Sequence, residues 1–170
     1  VLIVISGLPG TGKTAVAAGL AARLNAVHLS IDPIEHAMLG AGLPHGWETG
    51  VAAYEATRAA AEQNLVLGWD VVVDAVNDSD AARQTWRNAA GRTDAVLRFV
   101  MLACSSDGEH QYRLTSRRRG LRNVPEPTWE QVLVRAASYE PWTEDCLMVD
   151  TYAPLAAVID EVYQGVANGA

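Results

Sequence analysis

The sequence has 170 residues, a formal net charge of −7, 49% hydrophobic and 19% charged residues. That length and balance fit one globular domain with a sizeable core and exclude a disordered chain. The acidic surplus repels polyanions and argues against a general nucleic-acid binder or a protein of anionic membrane surfaces.

Short β-branched runs alternate with alanine-rich amphipathic stretches along the chain. Strands are predicted at Val1–Ile5, Val27–Ile31, Asp70–Val73, Ala95–Leu102 and Leu147–Val149. Helices are predicted near 13–24, 33–40, 49–67, 79–90, 108–119, 128–138 and 154–166. Continuous apolar strands separated by helices indicate a buried parallel sheet of an α/β fold. Two Gly/Pro-punctuated stretches, 40–47 and 120–127, resist regular structure and suit loops over a site. No apolar stretch reaches the length of a membrane span. The opening Val1-Leu2-Ile3-Val4-Ile5 lacks a basic flank, so a signal peptide is not expected there, and the cytoplasm is the expected location. Val1 in place of methionine leaves the start of the natural chain open. Cys104 and Cys146 are too few for a disulfide framework and read as free, packed thiols.

Gly7-Leu8-Pro9-Gly10-Thr11-Gly12-Lys13-Thr14 matches G-x-x-x-x-G-K-[ST] at every fixed position, between a predicted strand and a predicted helix. Such a loop turns backbone N–H groups inward around phosphate oxygens, and the following helix adds its positive end. Lys13 is then expected at the β/γ-phosphates of ATP and the Thr14 hydroxyl on Mg²⁺. Lys13 is also the single lysine against 12 arginines. A compact ammonium kept at this one position suits a pocket too tight for a guanidinium.

Two aspartates stand at predicted strand ends. Val71-Val72-Val73-Asp74 has the form of a Walker B strand, with Asp74 as a second Mg²⁺ contact or else as a strand-end turn residue. Asp32 closes Leu29-Ser30-Ile31-Asp32. With a strand order of 2-3-1-4-5, Asp32 lies roughly 10 Å from the cradle. That is too far to hold Mg²⁺ directly, and it suits a general base that takes a proton from an acceptor hydroxyl. The alternative for Asp32 is a helix cap before Pro33.

Arg113, Arg117, Arg118, Arg119 and Arg122 fall within ten residues. Arg113 and Arg117, spaced i, i+4, are expected on one helix face as catalytic cations of a lid over the transferring phosphate. The alternatives are a solvated basic face and a nucleic-acid patch, the latter without interleaved aromatics. Between Glu35 and Tyr54, the side chains of His36, His45, Trp47 and Glu48 could meet a ring-bearing or polyhydroxylated acceptor, or simply pack a loop. His36 and His45 lack the ligand spacing of a metal site.

The ordered set of motifs resembles the small P-loop kinases that include polynucleotide 5′-kinase, gluconate kinase, chloramphenicol phosphotransferase and zeta-toxin-like proteins. The likeness rests on Gly7 to Thr14, Leu29 to Asp32, Val71 to Asn77 with Arg83, Arg113 to Arg117, Pro127 to Glu130, Tyr139 to Trp142, and Val149-Asp150. It implies a P-loop NTPase three-layer sandwich over 1–170, a five-stranded sheet of order 2-3-1-4-5 and an Arg-rich lid at about 113–127. It also implies an acceptor-side region at about 33–60, ATP with Mg²⁺ as donor and a small-molecule hydroxyl as acceptor. In this resemblance Asp32 matches the catalytic aspartate and Arg113 and Arg117 the lid arginines. Asn77 and Arg83 fall where such proteins contact the acceptor. A natural product, nucleoside or sugar-like metabolite is the expected acceptor. A polynucleotide 5′-hydroxyl kinase, a toxin acting on a cell-wall sugar nucleotide and a nucleotide-gated switch are the competing expectations.

Overall fold

A computed structural model describes residues 1–168 of the chain. Five strands, β1 (Leu2–Ser6), β2 (Val27–Ser30), β3 (Val71–Asp74), β4 (Leu97–Ala103) and β5 (Cys146–Asp150), form one sheet in the order β2-β3-β1-β4-β5. Every pairing is parallel. The strands therefore read as apolar runs because both faces of the sheet are covered.

Alternate side chains of each strand enter opposite cores, as the period of two requires. Ile3, Ile5, Val72, Val100 and Leu102 pack with Val16, Ala17 and Leu20 of helix α1 (Lys13–Leu24) and Val158 and Val162 of α7 (Leu155–Asn168). Leu2, Val4, Val71, Val73 and Phe99 pack on the other face. There they meet Ile31 of α2 (Ile31–Gly40), Ala53 and Ala61 of α3 (Trp47–Val66) and Trp86 and Ala89 of α4 (Asp80–Thr93). The result is a three-layer helix–sheet–helix sandwich. No helix among the described residues is long and apolar enough to cross a membrane.

Parallel pairing brings all carboxyl ends of the strands to one edge, where ligands of open α/β sheets bind. Ser30 stands in register with Asp74, and Asp74 with Ile5. The elements that frame this edge are α5 (Asp107–Ser116) and α6 (Trp129–Ala137). Ser106 caps α5 by accepting from Glu109 N, and Thr128 starts α6 with a reciprocal capping box to Gln131. Cys104 and Cys146 are free thiols.

Two local expectations are corrected here. Asp32 does not end a strand: β2 stops at Ser30, and Asp32 sits in the first turn of α2, where Pro33 is tolerated because early helical N–H groups have no partner. Helix α5 ends at Ser116 instead of running to 119, and Arg117 adopts an extended conformation (ψ 148°). Arg117 itself still follows Arg113 by one turn, since its φ of −62° is helical and its N–H donates to the Arg113 carbonyl at 3.2 Å, but the residues after it leave the helix. Alternation replaces helical spacing: Arg117 and Arg119 turn toward the protein while Arg118 is exposed.

Candidate functional site

The loop between β1 and α1 wraps as the glycine spacing demands. Gly7, Gly10 and Gly12 have φ of 143°, 92° and 91°, conformations that L side chains rarely adopt. A Cβ on Gly7 would stand 2.4 Å from the carbonyl oxygen of Leu102, so the loop also lies directly against β4. Helix α1 starts at Lys13 with no side-chain cap, which leaves its first N–H groups free to face an anion. The tip of the loop is fixed from outside. His110 of α5, buried and edge-on to Trp129 at 5.0 Å, has Nε2 2.8 Å from the Pro9 carbonyl oxygen.

Lys13 Nζ donates to the Leu8 carbonyl at 3.0 Å across the floor of this cradle. Its pKa is pushed down to about 8, mainly because the surrounding protein desolvates the ammonium. Nearby Asp32 and Asp74 oppose that shift, and Arg117 and Arg119 add to it. An ammonium with one carbonyl partner among the described residues is arranged for a strong anionic partner.

Thr14 Oγ1 donates to Asp74 Oδ1 at 2.8 Å, and the other Asp74 oxygen lies 2.7 Å from His28 Nε2. Asp74 is only 4% exposed. A hydroxyl and a carboxylate side by side beneath the cradle match the hard-oxygen preference of Mg²⁺. Among the described residues, no group of three His, Cys, Asp or Glu side chains could hold a metal ion. Any Mg²⁺ at Thr14 and Asp74 would therefore take its remaining ligands from phosphate and water, as this ion commonly does. His28, in the middle of β2, was not singled out by any motif. Its partner lies 46 residues away, and only the pairing of β2 with β3 brings the two together.

A cleft of about 460 Å³ opens above the cradle, lined among others by Lys13, Thr14, Asp32, Glu35, Arg113, Arg117, Arg119 and Arg135. Arg113 Nε is paired with Glu109 at 2.6 Å, while its Nη1 donates to the Thr151 carbonyl. Arg117 and Arg119 both bind Glu126, and Arg119 is also paired with Asp32. Burial opposes ionisation of Glu126, but the hydrogen bonds and charges of Arg119 and Arg117 outweigh it and hold the carboxyl below its ordinary range. The structure thus brings Lys13, Thr14, Asp32, Arg113 and Arg117 to one cleft, with Asp74 buried behind Thr14 and bonded to it. It adds Arg119, which local spacing did not distinguish from its neighbours.

Of four residues expected at an acceptor, three have other contacts and one is exposed. Asn77 is fully buried at φ 54°. Its side chain donates to Ser6 Oγ and accepts from Trp86 Nε1, while its backbone N–H donates to the Tyr54 hydroxyl. Arg83, 1% exposed, donates to the carbonyls of Asn77, Glu140 and Pro141 and stacks 4.0 Å over the Trp142 ring. Both brace the turn after β3 from within, because their polar groups are already satisfied by the fold. His36 Nδ1 accepts from Asn123 N at 3.1 Å and so docks the 120–127 loop onto α2. Trp47 is 78% exposed at the start of α3 and does not line the cleft.

The model of the AAA domain family matches residues 2–139. The chain belongs to this family. For this AAA domain, no curated protein matches in sequence. Among solved structures it is similar to a gluconokinase from Sinorhizobium meliloti, with 22% identity, 99% of this chain and 92% of that one covered, and a TM-score of 0.72. A sugar kinase from a Janibacter species gives 16%, 98%, 94% and 0.73 in the same order. The Mycobacterium tuberculosis APS kinase in complex with AMPPNP and APS gives 19%, 98%, 95% and 0.67. At these identities the AAA domain shares the fold of such P-loop kinases, over nearly the whole length of each.

Proposed function

We propose that the chain transfers the γ-phosphate of ATP to a hydroxyl of a small molecule, with Asp32 as general base. The observation that carries this reading is that one cleft is lined by both Asp32 and Lys13, together with Arg113, Arg117 and Arg119. A hydrolytic switch would need only to orient water. A carboxylate in the same open cleft as Lys13 suits a larger nucleophile.

In this reading the loop from Gly7 to Thr14 binds the triphosphate through backbone N–H groups and Lys13. Thr14 and Asp74 would hold Mg²⁺, which offsets charge on the phosphate oxygens. Arg113, Arg117 and Arg119 would stabilise charge on the transferring group, where guanidinium forks fit phosphoryl oxygens. Asp32 accepts the hydroxyl proton as the oxygen attacks, and the bond from the γ-phosphorus to the β,γ-bridging oxygen breaks to release ADP. Kinship in fold with a gluconokinase, a sugar kinase and an APS kinase supports a metabolite-sized acceptor. A sugar-like compound, a nucleoside or a hydroxylated natural product fits that size class. The acidic surface disfavours a polynucleotide.

The test is transfer of label from γ-labelled ATP, with Mg²⁺, to a panel of hydroxyl-bearing metabolites. Label recovered in an organic phosphate ester supports the reading. Steady release of inorganic phosphate with no ester from any compound refutes it.

A further inference from the structure

Glu35 follows Asp32 by three residues on α2, so the two side chains are neighbours on one helix face, about 5–6 Å apart at Cβ. Both line the 460 Å³ cleft. Every other charged side chain lining that cleft has a protein partner. Lys13 bonds the Leu8 carbonyl, Asp32 pairs with Arg119, Arg113 with Glu109, and Arg117 and Arg119 with Glu126. Arg135 pairs with Asp78 at 3.1 Å. Glu35 has no hydrogen bond and no ion pair among the described residues, although it is half-buried in a cleft lined by four arginines.

We infer that Glu35 is a specificity-determining residue that accepts a hydrogen bond from a second donor group of the acceptor, a hydroxyl or an ammonium, beside the hydroxyl facing Asp32. The inference rests on the kinase reading above and narrows its acceptor to a polyol or an amino alcohol. The physical reason is the pairing of the two carboxylates. Asp32 takes the proton of the reacting hydroxyl, and Glu35, one helical turn further on, meets the adjacent substituent. Burial, then the charge of Asp32, raises the Glu35 pKa against the opposing charges of His45, Arg119 and Arg135, so a donor in this position relieves a real electrostatic cost. A sugar acid presenting its carboxylate here would meet two negative groups. Specificity would then come from repulsion of acids as much as from attraction of hydroxyls and amines. A site built to bond a donor group strongly rejects the analogue that lacks it, because the carboxylate is left unpaired.

The experiment measures phosphoryl transfer by the full chain with Mg-ATP to three matched sets of compounds: neutral polyols, their amino-substituted analogues and the corresponding sugar acids. Kinetics on the best acceptor are then compared for wild type, Glu35→Ala and Glu35→Gln. The expected result is transfer to a polyol or amino polyol. For Glu35→Ala the acceptor KM should rise at least tenfold, with kcat, the KM for ATP and the thermal midpoint little changed. Glu35→Gln should restore the KM for a polyol, since an amide oxygen still accepts, and fail to restore it for an amine. An unchanged acceptor KM in Glu35→Ala, or a sugar acid as best acceptor, overturns the inference while leaving the kinase reading standing. If wild type phosphorylates nothing in any set and only hydrolyses ATP, the kinase reading falls and takes this inference with it.

Discussion

Arg119 is ion-paired with Asp32, joining the extended segment after α5 to the first turn of α2 across the mouth of the cleft. The same guanidinium also binds Glu126, so one arginine ties the candidate base to its own loop. In the proposed reaction this cation stands where it can exchange a carboxylate for the transferring phosphoryl group. Arg119→Ala is therefore expected to lower kcat by about 10²–10³-fold, the usual cost of losing one group that stabilises transition-state charge. Steady-state kinetics at saturating ATP and acceptor would check this. An unchanged kcat would assign Arg119 to loop anchoring alone.

Asp32→Asn keeps the shape of the side chain and removes its basicity. Transfer should fall by about 10²–10⁴-fold, the range for general-base catalysis. Nucleotide affinity should stay close to wild type, because the cradle is made by the loop from Gly7 to Thr14. Calorimetric titration with ATP alongside the transfer assay separates the two effects, and retention of the transfer rate would remove Asp32 from the base role.

The lowered pKa of Lys13, about 8 in the free protein, carries a pH signature. A bound triphosphate favours the ammonium and raises this pKa, so binding above pH 8 takes up a proton. Affinity for nucleotide should be at its full value below pH 8 and fall as pH rises above it, by at most about tenfold per unit. Calorimetry at pH 8.5 in two buffers of different ionisation enthalpy should report net proton uptake. Identical heats in both buffers would contradict the assignment.

Arg83→Ala should act on stability and not on the acceptor. It leaves three carbonyl acceptors, those of Asn77, Glu140 and Pro141, without their shared donor and removes the stack on Trp142. Loss of about 3–5 kcal/mol is expected, in the range for breaking a buried, hydrogen-bonded charge. Denaturant unfolding measures it. A stable Arg83→Ala protein with a raised acceptor KM would instead return Arg83 to the acceptor site.

How much could be read from the chain depended on how far apart the partners lie. The phosphate loop is one contiguous run whose glycine positions are demanded by backbone geometry, so Gly7 to Thr14 was legible residue by residue. The strand order also followed, once the motif set was recognised. The internal contacts of Asn77 and Arg83 are not legible locally because some of their partners are remote: Ser6 is 71 residues from Asn77, and the Glu140 carbonyl is 57 from Arg83. The pairing of Asp32 with Arg119 spans 87 residues and carries no local periodicity. Trp47 looked like a binding aromatic and turned out to face solvent, since nothing in its neighbourhood says which way the start of α3 points.

The sequence by itself determined the α/β alternation, the phosphate loop and the apolar strands, because each depends on residues within one turn or one strand of each other. Tertiary structure alone decided which of the clustered arginines face the cleft, that His28 supports Asp74, and that Glu35 has no hydrogen bond or ion pair among the described residues. Those outcomes depend on where helix α5 stops and how separate segments pack over the sheet edge, and a free-energy balance over the whole chain sets both.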